Sequence, residues 1–219
     1  MKFFYKAELK LGRYAVKNLM TYLIALYASG LVISLMLPQV YYGYLSLNVP
    51  MILKGQVWRL VTWLMYPPSD SILFGAIMLF VSYSIGTNIE RVWGSFRFNV
   101  FIFSGIIFHI IAAFVVYAIW HNDGILWILT PENLNLSILL AFILTFPESR
   151  FYLFFILPVK AWWLGILYAV LTLFNFFAGG PQQKITIVLS LLNVILFLVM
   201  TGKLSQIIRN VKSKNQKWK

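Results

Sequence analysis

Long apolar segments separated by short polar ones dominate the pattern of this chain. An apolar helix of about 20 residues crosses a bilayer, because each residue adds about 1.5 Å against a hydrocarbon core of about 30 Å. The pattern predicts six spans, over residues 19–37, 71–88, 98–120, 133–146, 161–178 and 185–202. An even number of spans places both termini on the same side of the membrane.

Basic amphipathic segments flank the apolar part of the chain. In the first 17 residues the cations recur every three or four positions, so a helix carries them all on one face: Lys2, Lys6, Lys10, Arg13 and Lys17. Residues 203–219 repeat this pattern, with an apolar stripe at helical spacing opposite Lys and Arg. We therefore predict a surface helix (1–17), a six-span domain (18–202) and a basic amphipathic tail (203–219), with anionic lipid as the partner of both ends.

Composition and charge also indicate an integral membrane protein. The 219 residues are 61% hydrophobic and 11% charged, which is more apolar than a small soluble core requires. Loops rich in Lys and Arg stay on the cytoplasmic side. With both termini in the cytoplasm, only Lys54, Arg59 and Lys184 face outward, which leaves 15 of the 18 Lys and Arg residues inside. The net charge of +12 then reflects topology and anionic lipid, and it does not indicate a nucleic-acid partner.

Few side chains offer metal or cofactor chemistry. The chain has no cysteine, which excludes disulfides, thiolate metal sites and a cysteine nucleophile. His109 falls in the middle of the third span, where an ionisable group is a functional candidate. A lone neutral imidazole hydrogen-bonded inside a bundle is the more common outcome. His121, Asp123 and Glu132 lack the spacing of metal ligands, so we expect no metal and no cofactor.

The loop between the first two spans, residues 39–70, is long and too apolar for a solvated linker. Arg59 follows Trp58 near the middle of this loop. A guanidinium does not lose its proton, and tryptophan rings prefer the depth of the lipid headgroups. The sequence therefore predicts an interfacial loop, in which Arg59 either extends to water or anchors the loop.

Two motifs on either side of the second span resemble those of rhomboids. Trp58-Arg59 is similar to the Trp-Arg motif of their first outer loop, and Gly86, Glu90, Gly94 and Arg97 with Phe98 resemble their Gly-x-x-x-Glu-x-x-x-Gly-x-x-Arg-Phe pattern. The segments Phe146-Pro147 and Leu157-Pro158-Val159-Lys160 resemble the family's link between spans 4 and 5. The resemblance covers about half the chain, from Gly55 to Lys160. It implies an all-α, six-helix rhomboid-like bundle in which these motifs hold the outer and inner loops. The alternative for Glu90 and Arg97 is a solvated helix end.

The catalytic residues of that family are not matched. Active rhomboids use a serine in Gly-x-Ser-Gly at the start of span 4, with a histidine on span 6 as its base. Here Ser137 lies about one turn deeper without flanking glycines, no histidine follows His121, and Asn193 lies near the place of the span 6 histidine. The oxyanion-binding His-x-x-x-Asn pair of span 2 falls near Phe74 and Met78. An asparagine is not a base, so the sequence indicates a pseudoprotease and not an enzyme.

The resemblance then implies a function like that of derlins and inactive rhomboids in membrane protein quality control. These proteins bind transmembrane segments of client membrane proteins and influence their stability, trafficking or extraction. One alternative is an active rhomboid serine protease with a non-standard site. Another is a small-solute permease, which needs charged or broken helices at the midplane.

Polar residues cluster at the outer end of the short fourth span. Residues 133–147 make a helix of about 22 Å, shorter than the hydrocarbon core of about 30 Å. We predict that this mismatch produces a recess for client helices that carry polar groups. Its residues are Glu132, Asn133, Asn135 and Ser137 with Asn193 of the sixth span. In the alternative interpretation, these asparagines only tie span 4 to its neighbours.

Overall fold

A computed structural model gives a mostly helical chain and describes residues 2–66, 69, 71–120, 131–153 and 157–202. Six long helices form the bundle: α2 (Leu19–Met36), α6 (Ile72–Trp93), α7 (Ser95–Trp120), α8 (Glu132–Thr145), α9 (Ala161–Ala178) and α10 (Pro181–Met200). A short helix, α1 (Lys2–Leu11), precedes them. Three helical turns lie between α2 and α6: α3 (Pro38–Val40), α4 (Val49–Leu53) and α5 (Arg59–Thr62).

Four of these helices, α2, α6, α7 and α9, are long and apolar enough to cross a membrane. The apolar parts of α8 and α10, Leu134–Thr145 and Ile187–Met200, are shorter. An integral membrane protein built of helices is therefore confirmed. Each predicted span coincides with one helix, and the ends differ by at most five residues. The number of spans and the side of each terminus stay predictions.

The helix α8 lies at the centre of the bundle, where it packs against α6, α7, α9 and α10. The close approach of neighbouring helices depends on glycines. A Cβ on Gly86 of α6 would overlap the Met20 side chain of α2, and a Cβ on Gly105 of α7 would overlap Leu134 and Asn193. Small residues at such positions are typical of helices that associate in membranes.

Two predicted segments differ in their local structure. The polar segment after the second span is helical up to Trp93, and α7 begins at Ser95, so only Gly94 separates the helices. Gly94 has φ +82°, a conformation that favours glycine. The all-α prediction also missed an antiparallel hairpin of β1 (Arg150–Leu153) and β2 (Leu157–Lys160). Hydrophobic periodicity does not distinguish strand from helix in so short and continuous an apolar run.

The loop between α2 and α6, which we name the outer loop after its predicted side, is folded and not extended. A π-helical turn at Tyr41–Leu45 follows α3, and α4 begins where the Asn48 side chain accepts a hydrogen bond from the Met51 amide at 3.1 Å. Its buried side chains join the main apolar core of the bundle: Leu47, Val49, Ile52, Trp63 and Leu64. The loop therefore covers one end of the helices as a packed element.

The predicted surface helix of residues 1–17 is shorter than expected. It ends at Leu11 and is followed by a 3₁₀ turn at Gly12–Tyr14. The predicted basic tail, residues 203–219, lies outside the described residues, as do His121 and Asp123.

Candidate functional site

A chain of three polar side chains connects α7, α8 and α10 inside the bundle. Asn193 Nδ2 donates to Ser137 Oγ at 3.0 Å, and Ser104 Oγ lies 3.1 Å from Asn193 Oδ1. Ser137 and Asn193 are 0% and 1% exposed. Hydrogen bonds of this kind hold membrane helices together, because lipid tails offer no alternative partners.

The hydrogen bonds of Ser137 determine its chemistry. Its hydroxyl donates to the Leu134 carbonyl of its own helix at 2.7 Å and accepts from the Asn193 amide. A nucleophilic serine needs a neighbouring base that takes its proton. Asn193 instead approaches the Ser137 hydroxyl with an N–H donor, so this hydrogen bond links two helices and offers no acceptor for the serine proton.

The other α8 residues of the predicted recess lie nearer the N-terminal end of this helix. Asn135 Oδ1 accepts a hydrogen bond from the hydroxyl of Tyr27, a buried residue of α2, at 2.9 Å. Glu132 is exposed at the first position of α8, and the side chain of Asn133 lies outside the described residues. The structure thus brings Ser137 and Asn193 together and ties Asn135 to α2. These contacts join α8 to its neighbouring helices, as in the alternative interpretation of the asparagines. Client binding at this end of α8 stays a prediction.

Arg59 is buried inside the outer loop, with 1% of its surface exposed. Its Nη1 donates to the Ser46 carbonyl at 2.9 Å, its Nη2 donates to the Gly43 carbonyl, and its Nε donates to Gln56 Oε1 at 2.8 Å. Burial lowers the pKa of the Arg59 guanidinium from its ordinary value, but a guanidinium stays protonated in proteins. These hydrogen bonds all lie within the loop.

Trp58 adds a second contact to the same part of the loop. Its indole Nε1 donates to the Tyr44 carbonyl at 3.1 Å. Together Trp58 and Arg59 bind three carbonyls of the segment from Gly43 to Ser46. The pair thereby fixes the path of the loop between α3 and α4.

The motif residues at and just after the C-terminal end of α6 bind the segment that precedes α2. Glu90 is buried, and its Oε1 accepts hydrogen bonds from the Asn18 amide at 2.8 Å and the Ser95 hydroxyl at 2.9 Å. Arg97 forms a salt bridge with Glu8 of α1, in which Nη2 and Oε2 are 2.8 Å apart. Glu90 is therefore not at a solvated helix end, and both charged motif residues bind the N-terminal segment.

The sequence analysis did not predict the contact between the Asn99 side chain and the backbone of Val16. Its Oδ1 accepts from the Val16 amide at 2.9 Å, and its Nδ2 donates to the Val16 carbonyl at 2.8 Å. The side chain is buried. One sequence feature could have indicated this contact, namely a polar asparagine directly after Phe98, at the start of a predicted apolar span.

A cluster of aromatic rings joins the helices near the same end of the bundle. Trp93 stacks on Phe197 of α10 with ring centroids 4.2 Å apart, and its Nε1 donates to Thr145 Oγ1 of α8 at 3.2 Å. Phe101 of α7 meets both rings edge to face. This cluster fixes four helices relative to one another.

His109 is separate from the polar chain. Its Nδ1 lies 2.7 Å from the Gly105 carbonyl, which only accepts, so Nδ1 carries the proton and Nε2 is the acceptor. The ring stacks on Trp63 of the outer loop, with centroids 5.7 Å apart. Nε2 has no hydrogen-bond partner among the described residues, so His109 does not act as a base toward Ser137 in this arrangement.

The described residues contain no group of three His, Asp or Glu side chains placed to hold a metal ion. Comparison with known proteins finds no matching family model, no matching curated protein and no matching solved structure.

Proposed function

We propose that this chain is a catalytically inactive rhomboid-like protein, similar in kind to derlins, that binds transmembrane segments of client membrane proteins. Through this binding it affects their stability, trafficking or extraction. The hydrogen bond between Ser137 and Asn193 is the observation that carries the proposal.

That pair supports both parts of the proposal. Active rhomboids place a serine on span 4 against a histidine on span 6, and here α8 and α10 bring a serine and an asparagine within 3.0 Å. This contact between α8 and α10 supports the proposed rhomboid-like arrangement of helices. An amide has no basic nitrogen, and the proton of Ser137 is directed to the Leu134 carbonyl. These features favour a pseudoprotease over a protease with a non-standard site.

The contacts of the two sequence motifs support the same family. Trp58 and Arg59 bind the carbonyls of the outer loop, as anchors of that loop should. Glu90 and Arg97 hold the N-terminal segment against the junction of α6 and α7. Each motif therefore has a structural use that does not require catalysis.

We also propose six spans with both termini in the cytoplasm. The salt bridge between Glu8 and Arg97 supports this topology, because it places α1 on the same side as the junction of α6 and α7. Exposed or partly exposed cations of the N-terminal segment and of this junction then share that side: Lys6, Lys10, Arg13, Lys17, Arg91 and Arg97. Such a surface favours the anionic headgroups of the cytoplasmic leaflet.

The proposed place for clients is beside the outer end of α8. This helix has 14 residues, so it is about 21 Å long against a hydrocarbon core of about 30 Å. In this proposal, the mismatch is relieved by a water-accessible recess above the short helix or by thinning of the membrane around the bundle. There the exposed Glu132 offers a hydrogen-bond acceptor to a client helix that carries a polar side chain.

Photo-crosslinking in native membranes tests this proposal. A crosslinking amino acid at Leu136, a partly exposed position on α8, should capture membrane proteins with polar residues in their spans. Capture should fall in Glu132→Leu, which removes the acceptor, and should stay unchanged in Ser137→Ala, because Ser137 is fully buried. Capture that is the same in Glu132→Leu would contradict the proposed place, and truncated client fragments would favour the protease.

A further inference from the structure

One stripe of α9 is covered at its inner end and open at its outer end. Positions spaced alternately by three and four residues lie along one line of a helix. Along this line the side chains pass from buried, through partly exposed, to exposed: Ala161, Leu164, Tyr168, Leu171, Asn175 and Ala178. Leu171 is 51% exposed. The outer half of α9 therefore turns this stripe away from its own bundle.

Asn175 is a polar residue within that open part. Tyr168 and Thr172, on the preceding turns, have a hydrogen bond with each other. No hydrogen bond reaches the Asn175 side chain within the part of the chain that the structure describes. Asn175 thus presents an exposed carboxamide beside Leu171 and Phe174, which are both exposed.

The depth of Asn175 makes this exposure significant. The 18 residues of α9 span about 27 Å, which is slightly less than the hydrocarbon core of about 30 Å. Asn175 lies three residues before the end of α9, so its amide is about 5 Å inside the helix end. A polar group at this depth is stabilised by a hydrogen-bond partner on another helix.

We propose that the partner is a second copy of this chain, in a two-fold symmetric dimer that forms through the outer half of α9. A carboxamide carries both a donor and an acceptor, so two asparagines satisfy each other. A two-fold axis normal to the membrane places the same residue of each copy at the same depth, where Asn175 meets Asn175. Ala178, one turn further out, is small enough to let the two helices approach closely.

The flanking contacts leave this stripe free for the second copy. On the adjacent face of α9, the ring of Phe176 lies 5.9 Å from Lys184 Nζ of α10. The inner half of the helix packs on α8, where Gly165 accommodates Ile143. A client helix at Asn175 would need a polar residue at the matching depth, whereas a second copy always supplies one. The dimer does not depend on the proposed client binding.

Single-cysteine crosslinking tests the dimer, and the chain has no cysteine of its own. Under oxidation in native membranes, Ala178→Cys should give a covalent dimer in at least several-fold higher yield than Leu173→Cys. Leu173 is the matched control, because it is exposed on a different face of α9. Equal yields from the two variants would overturn the proposal.

A second substitution tests the hydrogen bond itself. In the Ala178→Cys background, Asn175→Leu should lower the dimer yield by about three- to tenfold, the range expected for one interhelical hydrogen bond. Asn175→Gln keeps the carboxamide and should retain most of the yield. A dimer yield that Asn175→Leu does not change would overturn the proposal. So would a loss of client capture in Asn175→Leu without any loss of dimer, since the occupant would then be a client helix.

Discussion

Asn193 of α10 donates a hydrogen bond to Ser137 of α8 across a helix interface that is closed to its surroundings. The same amide group meets Ser104 of α7 through its oxygen. One side chain therefore connects three helices, and its position is set by the close approach that Gly105 permits. This relationship leads to a prediction about stability as well as to the proposal about function.

Replacing Asn193 should destabilise the bundle. Asn193→Leu removes two interhelical contacts and leaves the Ser137 and Ser104 hydroxyls bonded only to their own helices. We expect the free energy of unfolding to fall by about 1–2 kcal/mol, which is the upper range for interhelical hydrogen bonds in membranes. Thermal unfolding in detergent measures the change. Leu192→Val on the exposed side of α10 is the control, and an equal effect of both variants would contradict a special role of Asn193.

Arg59 should be essential for the folded outer loop, while a nearby cation should not be. Arg59→Met leaves the Gly43 and Ser46 carbonyls without this donor. We expect the free energy of unfolding of the loop to fall by at least about 2 kcal/mol. Lys54 is exposed in the same loop, so Lys54→Met should have little effect. Limited proteolysis of the loop distinguishes the two. Equal resistance of Arg59→Met and the unmodified protein would show that the loop does not depend on this side chain.

The N-terminal segment should depend more on Asn99 than on its salt bridge. Glu8 and Arg97 are partly exposed, and such ion pairs contribute about 0–1 kcal/mol. Asn99 is buried and satisfies both backbone groups of Val16. Hydrogen exchange at the Val16 amide should therefore accelerate strongly in Asn99→Leu and only slightly in Glu8→Gln. The reverse order would show that the ion pair holds the segment.

Topology is tested by labelling two exposed positions. A membrane-impermeant thiol reagent applied to intact cells should label Lys54→Cys and should not label Lys6→Cys, because these lie on opposite sides in the proposed arrangement. Permeabilised cells provide the control, in which both should react. Labelling of Lys6→Cys in intact cells would contradict a cytoplasmic N-terminus.

The sequence predicted the helices well because hydrophobic length alone specifies them. It did not predict the partners, since these depend on how distant segments pack. Ser137 and Asn193 are 56 positions apart, and Glu8 and Arg97 are 89 apart. The burial of Arg59 likewise required the path of the backbone from Gly43 to Ser46, which no local pattern specifies. The recess was predicted from polar composition at one helix end, but composition does not show that Asn135 already bonds Tyr27.

The central claim is that the protein is a pseudoprotease, and it is tested most directly by measuring whether Ser137 acts as a nucleophile. The protein should be incubated in membranes with a fluorophosphonate probe and with a model transmembrane substrate, beside an active rhomboid protease as positive control. We predict no labelling and no cleavage, because the side chain that bonds Ser137 within the described part of the chain is an amide that donates to it. Specific cleavage of the substrate that disappears in Ser137→Ala would contradict the account.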